Sequence, residues 1–299
     1  MLDKSNLGKR LLFAVPAAPV GWWFINSTLS VTAAFPFLPE VFPGQILILF
    51  LAIGASIEYN RLLAISFPKN AFWYAPLWIM AILLLDLFGH AMPLKFAIFI
   101  LLIIVSYEAI FVGEKNQGRW KRASLLFIGT VFLYIAGISC LNMYQEPFQS
   151  FFISYKSTSP MLSQMGILTL VGSILMCDTI AYFAGSIFGR HHYSNISPNK
   201  TIEGSVAGFA TALIIFAISW YFFGAPEYPR YLGVLMGFFV GIFAQVGDLF
   251  VSLMKRYFKV KNASDILPGH GGFLDRFGSV FFAVPALGLF IWTVKKFLG

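Results

Sequence analysis

Hydrophobic residues in this chain do not alternate with polar ones; they come in long runs of Leu, Ile and Phe divided by short polar connectors. A hydrocarbon core about 30 Å thick needs roughly 20 helical residues to cross it. Only helices or closed barrels satisfy their backbone polar groups there, and runs without alternation select helices. Nine candidate spans follow, at about 11–35, 43–60, 71–88, 96–112, 123–143, 161–186, 203–223, 231–253 and 277–294. The expected fold class is all-α: a polytopic helical membrane protein of about nine transmembrane helices. The first run, basic at Lys9 and Arg10 and then apolar with Ala17 and Ala18, imitates a secretory leader. In a polytopic chain it reads as a retained anchor.

Composition agrees with the pattern. The 299 residues are 58% hydrophobic and 11% charged, with mean hydropathy +0.77, which excludes an ordinary soluble domain. Lys and Arg accumulate in cytoplasmic loops. With a cytoplasmic N-terminus, nine spans put sixteen of the twenty-one basic residues on that side, leaving Lys95, Lys156, Arg230, Lys295 and Lys296 opposite. The net charge of +8 therefore reads as orientation and attraction to anionic headgroups, not as nucleic-acid binding. Cys140 and Cys177 fall in apolar spans at nearly opposite depths, which speaks for packing and against a disulfide.

Residues 1–160 read as scaffold helices. Glu58 and Asp86 stand near predicted span ends, where their carboxylates reach headgroups, and neither is given a functional role. Residues 161–299 read as a catalytic transmembrane region with its site on the cytoplasmic face, because three of its segments carry polar residues that a connector does not need. In "MCDTIAYFAGSIFGRHHYSNISPNKTIEG", Asp178 lies inside an apolar run, where a carboxylate costs several kcal/mol unless paired, hydrated or metal-bound. Ser197, Lys200 and Thr201 then offer a cation and hydroxyls before a helix start, suited to phosphate or to ordinary capping. In "QVGDLFVSLMKRYFKVKN", Asp248 is again deep, with Ser252 one turn on, and Lys255, Arg256, Lys259 and Lys261 follow. In "SDILPGHGGFLDRFGS", Gly269, Gly271 and Gly272 let backbone N–H groups approach an anion. Asp275 adds a hard oxygen ligand, and Arg276 a bidentate phosphate donor. Three such segments on one membrane face indicate metal-assisted phosphate chemistry. A transporter would instead gather polar groups in two repeats near the midplane.

The run "SLMKRYFKVKNASDILPGHGGFLDRFGS" closely resembles the signature of the phosphatidate cytidylyltransferases, or CDP-diacylglycerol synthases. Ser252, Lys255, Arg256, Lys261, Pro268, His270, Gly271, Gly272, Asp275 and Arg276 fall in its register. "CDTIAYFAGSIFGR" and "SPNKTIEG" are similar to the family's preceding segments, so the resemblance covers roughly 170–299. It implies an Mg²⁺-dependent enzyme, with a second cation open, that joins CTP and phosphatidic acid into CDP-diacylglycerol and pyrophosphate. Asp248 and Asp275 are expected to ligate metal, with Asp178 in the same pocket. Lys200, Lys255, Arg256 and Arg276 are expected to hold phosphates, and Ser197 and Thr201 to contact nucleotide. Ser252 and Lys261 are counted with the substrate-binding groups. Gly271 and Gly272 admit the backbone, and His270 orients a phosphate or an aspartate.

Two positions depart from the signature. Asn262 stands where it has Asp, offset by Asp265 where relatives often carry Asn; Gly278 stands where it ends in Asp, with no such repair. Gly278→Asp is expected to be tolerated. Two alternatives stay open: the same transfer to another lipid phosphate, and a lapsed relative that only binds lipid. The implied partners are CTP, phosphatidic acid and membrane lipid, with a homodimer left open and a bacterial inner membrane as the expected location.

Overall fold

The computed structural model describes residues 43–67, 74–87, 100–103, 118–144, 148, 151–152, 165–193, 196–267 and 271–298. They contain seven helices with both ends defined: α1 (Pro43–Ser66), α2 (Tyr74–Leu87), α3 (Gly118–Leu141), α4 (Met165–Phe188), α5 (Ile202–Phe223), α6 (Tyr231–Tyr257) and α7 (Phe273–Leu298). Pairing outside helices is limited, among the described residues, to three isolated bridges. Six stretches, Pro43–Ser66, Ala123–Tyr144, Met165–Phe188, Ile202–Phe223, Tyr231–Tyr257 and Phe273–Phe297, are long and apolar enough to cross a membrane. They match six of the nine expected spans. The span at 71–88 appears as a shorter helix of 14 residues, while 11–35 and most of 96–112 lie outside the described residues. The all-α membrane architecture holds, with six candidate spans among the described residues.

Lipid gives helices little hydrophobic reason to associate, so close backbone approach through small residues must supply the contact. Gly237 and Gly241 of α6 supply it to α5: a Cβ at Gly237 would fall 2.8 Å from Ala212 O, and one at Gly241 2.9 Å from Phe209 Cδ2. On the other side of α5, a Cβ at Gly208 would fall 2.7 Å from Cys177 O of α4. Helix α5 otherwise turns Val206, Ile214, Ile218 and Phe222 outward, as a lipid-facing helix should.

The ends of α1, α4 and α6 lie together with the starts of α3, α5 and α7. Lys121 of α3 lies 5.2 Å from the ring of Tyr257 at this end. Arg230, assigned to the opposite side, lies 4.8 Å from the ring of Tyr221 at the other. Buried side chains from both sides of residue 160 share one core, in which Leu62, Leu63, Leu83 and Leu126 pack with Val251, Leu274 and Phe281. Cys140 and Cys177 are buried free thiols, as expected.

Candidate active site

Each wall of the site begins with how a helix starts or stops. Thr201 is the N-cap of α5: its hydroxyl accepts the Gly204 N–H at 3.2 Å, satisfying one of the donors a helix start leaves orphaned. Glu203 in the same first turn accepts the N–H groups of Arg190 and His191 and holds His191 Nδ1 at 2.6 Å, folding the α4–α5 connector over the helix start. A tight turn, Lys200 N–H to Ser197 O at 3.0 Å, then aims Lys200 inward. Its Nζ meets Asp248 Oδ2 of α6 at 2.5 Å.

Helix α6 ends with Lys255 and Arg256 in its last turn, a favourable match of cations to the negative helix terminus. The Val260 N–H reaches back to Lys255 O and the Lys259 N–H to Arg256 O, with Lys259 at φ 58. This is the Schellman reversal, here with lysine in the left-handed position that glycine usually takes. Lys255 Nζ is thereby directed onto Asp275 Oδ1 at 2.5 Å. Asp275 Oδ2 accepts the N–H groups of Ala263 at 2.8 Å and Gly272 at 2.9 Å. Both oxygens are engaged, and the side chain is only 8% exposed against 40% for Asp248.

Between these pairs lies a cavity of about 560 Å³, bounded by Asp178, Ser197, Lys200, Asp248, Asp275 and Arg276. Six of the expected site residues therefore line one cavity, and Thr201 joins them beside its capping role. Asp178 Oδ2 accepts the Ser279 hydroxyl at 3.2 Å. Lys255 stands behind Asp275. Arg256 donates outward, to Ile196 O and Val260 O at 3.3 Å, tying the α4–α5 connector to the α6–α7 connector. Ser252 and Lys261 do not border the cavity. Gly271, at φ +82, donates its N–H to Leu267 O, so with Gly272 the expected anion donors face protein acceptors. His270 lies outside the described residues. Asn262 Nδ2 meets Asp265 Oδ1 at 3.3 Å, a pairing that two aspartates would replace with repulsion.

Three residues carry more than the sequence reading gave them. Gln245, one turn before Asp248, donates to Ser205 O at 2.9 Å and spans α6 to α5 at the cavity wall; an amide inside an apolar run was its only sequence signal. Glu58 does not reach headgroups: it is fully buried and binds the start of α7. Burial of a carboxylate requires such donors, and none of them is near it in sequence. Gly278 also departs from expectation. A Cβ there would fall 2.5 Å from Val251 Cγ2, and one at the facing Gly247 would fall 2.6 Å from Gly278 O. Aspartate at this position would press its Cβ into the close α6–α7 crossing.

Beside the charged cavity, and sharing Ser205 and Gln245 with it, runs an apolar groove of about 630 Å³ lined by Val206, Phe209, Ile242, Val246 and Leu249. Fold and site together define a polytopic membrane protein that presents alternating cations and carboxylates, next to an apolar channel, at one end of its helices. Helical membrane proteins of many kinds share the first half of that description; the charge-paired cavity narrows it. The chain belongs to the cytidylyltransferase family, whose sequence profile matches residues 19–294. Similar proteins include the phosphatidate cytidylyltransferases of Staphylococcus aureus (strain COL), 29% identical over 277 residues, and of Staphylococcus haemolyticus, 30% identical over 278. Each alignment covers 89% of this chain and 98% of the relative. The Bacillus subtilis enzyme of that name is 30% identical over 198 residues, covering 65% of this chain and 66% of its own.

Proposed function

We propose that this protein transfers the cytidylyl group of CTP to phosphatidic acid, giving CDP-diacylglycerol and pyrophosphate, with its site on the cytoplasmic side of a bacterial inner membrane. The observation that carries this reading is the shared wall between the charged cavity and the apolar groove. A lipid phosphate needs both at once: acyl chains against Val206, Phe209 and Ile242, and a phosphate within reach of Lys200 and Arg276. An oxygen of that phosphate attacks the α-phosphorus of CTP, the bond from that phosphorus to the bridging oxygen breaks, and pyrophosphate departs with the electron pair.

The chain's own part is positioning and charge. Lys200 neutralises Asp248, and Lys255 neutralises Asp275. On arrival of a triphosphate Lys200, which borders the cavity, turns to phosphate oxygens and frees Asp248. Arg276 clamps a phosphate in two-point fashion, and Ser197 and Thr201 face the nucleotide. The carboxylate oxygens of Asp248 and Asp275 are hard donors lining the same cavity, and Mg²⁺ typically takes one or two carboxylates and completes its shell with phosphate and water. They fit that ion, which when bound would neutralise developing charge on the phosphates. Gly278 alone favours a second reading, a relative that binds lipid phosphate without turning it over.

The test is purified protein in detergent with radiolabelled CTP, Mg²⁺ and phosphatidic acid. A CDP-lipid product is expected. Folded protein that yields none, with phosphatidic acid or any other lipid phosphate, refutes the transfer reading.

A further inference from the structure

The geometry points to Glu58 as a positioning residue that holds the start of α7, and with it Asp275 and Arg276, in register with the cavity. Glu58 belongs to α1, far from the signature run, yet its carboxylate is fully buried. It accepts the N–H of Phe273 at Oε1 and of Leu274 at Oε2, both at 2.8 Å, and the Ser264 hydroxyl at 2.5 Å. A helix start leaves four N–H groups without intrahelical partners and carries partial positive charge, so a carboxylate is the matching group. Here the cap comes from another helix, 215 residues away in sequence.

Three features show that the cradle is shaped for this contact. A Cβ at Gly272 would fall 2.5 Å from both carboxylate oxygens of Glu58, so only glycine leaves that position open. Phe273, the first residue of α7, lies against Gly54, where a Cβ would fall 2.6 Å from its ring, and meets Phe50 edge-to-face at 5.5 Å. Phe50, Gly54 and Glu58 follow at intervals of four on one face of α1. Together they fix both the depth of Phe273 and the direction of the first turn.

Division of donors is what ties this clamp to the site. Glu58 takes the N–H groups of Phe273 and Leu274, leaving Asp275 to take those of Gly272 and Ala263 and to meet Lys255. Without Glu58, two buried N–H groups lose their acceptor. Asp275 is the nearest carboxylate able to turn toward them, and in doing so it leaves Lys255 and shifts Arg276 beside it.

The test compares Glu58→Gln, Glu58→Ala and Gly272→Ala with the wild type, using monodisperse protein in detergent. Gln keeps one acceptor but turns an amide N–H against the second donor, and the Gly272→Ala methyl displaces the carboxylate without removing it. Hydrogen exchange of residues 271–276 is expected to quicken in all three, most in Glu58→Ala, while α4 and α5 stay unchanged. Turnover per folded molecule is expected to fall about a hundredfold in Glu58→Ala, the effect of misplacing reacting groups by about 1 Å. Glu58→Gln and Gly272→Ala should lie between that and the wild type. A purely structural role would lower folded yield and leave turnover per folded molecule intact; that result overturns the proposal, as does unchanged exchange at 271–276. If Glu58→Ala does not fold, the other two variants decide. The kinetic part rests on the cytidylyl-transfer reading, whereas the exchange part does not. A wild type without turnover would remove that reading and still let exchange decide the clamp.

Discussion

Replacing Gly278 by aspartate, the residue that ends the signature this chain resembles, probes the crossing of α6 and α7. The new Cβ would stand 2.5 Å from Val251 Cγ2, and ordinary contact begins near 3.4 Å, so something must move by about 0.9 Å. Val251 is short, β-branched and 2% exposed, which leaves it little room to turn away. Overpacking of this kind costs about 1–3 kcal/mol. Gly278 lies in the second turn of α7, between Phe277 and Ser279 of the charged cavity, so the cost of a carboxylate at a bilayer centre does not apply to it. Loss of a glycine from a helix interior returns about 0.5–1 kcal/mol. The net expectation is destabilisation by up to about 2.5 kcal/mol, enough to lower the melting point of a marginally stable chain. Trimming Val251 to alanine should restore about 1–3 kcal/mol of the double variant, a coupling between contacting residues. Thermal midpoints of Gly278→Asp, Val251→Ala and the double variant, read by size-exclusion of a fluorescent fusion in detergent, give the comparison. A wild-type midpoint for Gly278→Asp, or a double variant no better than additive, would refute the steric reasoning.

Other outcomes follow from the same contacts. Asp248→Ala is expected to abolish CDP-lipid formation at near-normal expression, because Asp248 faces the cavity, is 40% exposed and pairs with Lys200. Asp275→Ala should abolish turnover as well, and in addition lower the melting point. It strips the acceptor from two backbone N–H groups and leaves Lys255 unpaired in a largely buried place, a loss of about 3–5 kcal/mol. Lys200→Met should raise the KM for CTP more than it lowers kcat, as removal of a phosphate-binding charge does; an unchanged KM in steady-state kinetics would contradict the assigned role. Thr201→Ala removes the α5 cap and should lower stability by about 1 kcal/mol, with Thr201→Ser close to wild type in the same melting assay.

What the sequence made legible was whatever physics writes locally. Long apolar runs gave α3 to α7 with small errors at their ends, because in lipid a helix is the only way for such a run to satisfy its backbone. The carboxylates Asp178 and Asp248 announced themselves by being out of place, and Asp275 and Arg276 by a signature with fixed spacing. The structure brings these residues to one cavity. Contacts that span the chain were not legible. Glu58 sits in "SIEYNRL", which reads like the frayed end of a span, and its three donors lie more than 200 residues on. Gly278 could be recognised as a departure from the signature, but only the crossing with Val251 explains what that departure accommodates. Gly272 was read as an opening for an anion, and the opening is real; a carboxylate from α1 fills it.

The inter-helix cap has a bearing on how the protein is made. Translation delivers α1 to the bilayer long before α7 exists, so Glu58 must wait through the insertion of every intervening helix with none of its final donors yet synthesised. Its capture by the emerging start of α7 is then a late assembly event, one that draws the earliest and latest segments of the chain together and closes the cavity in the same stroke.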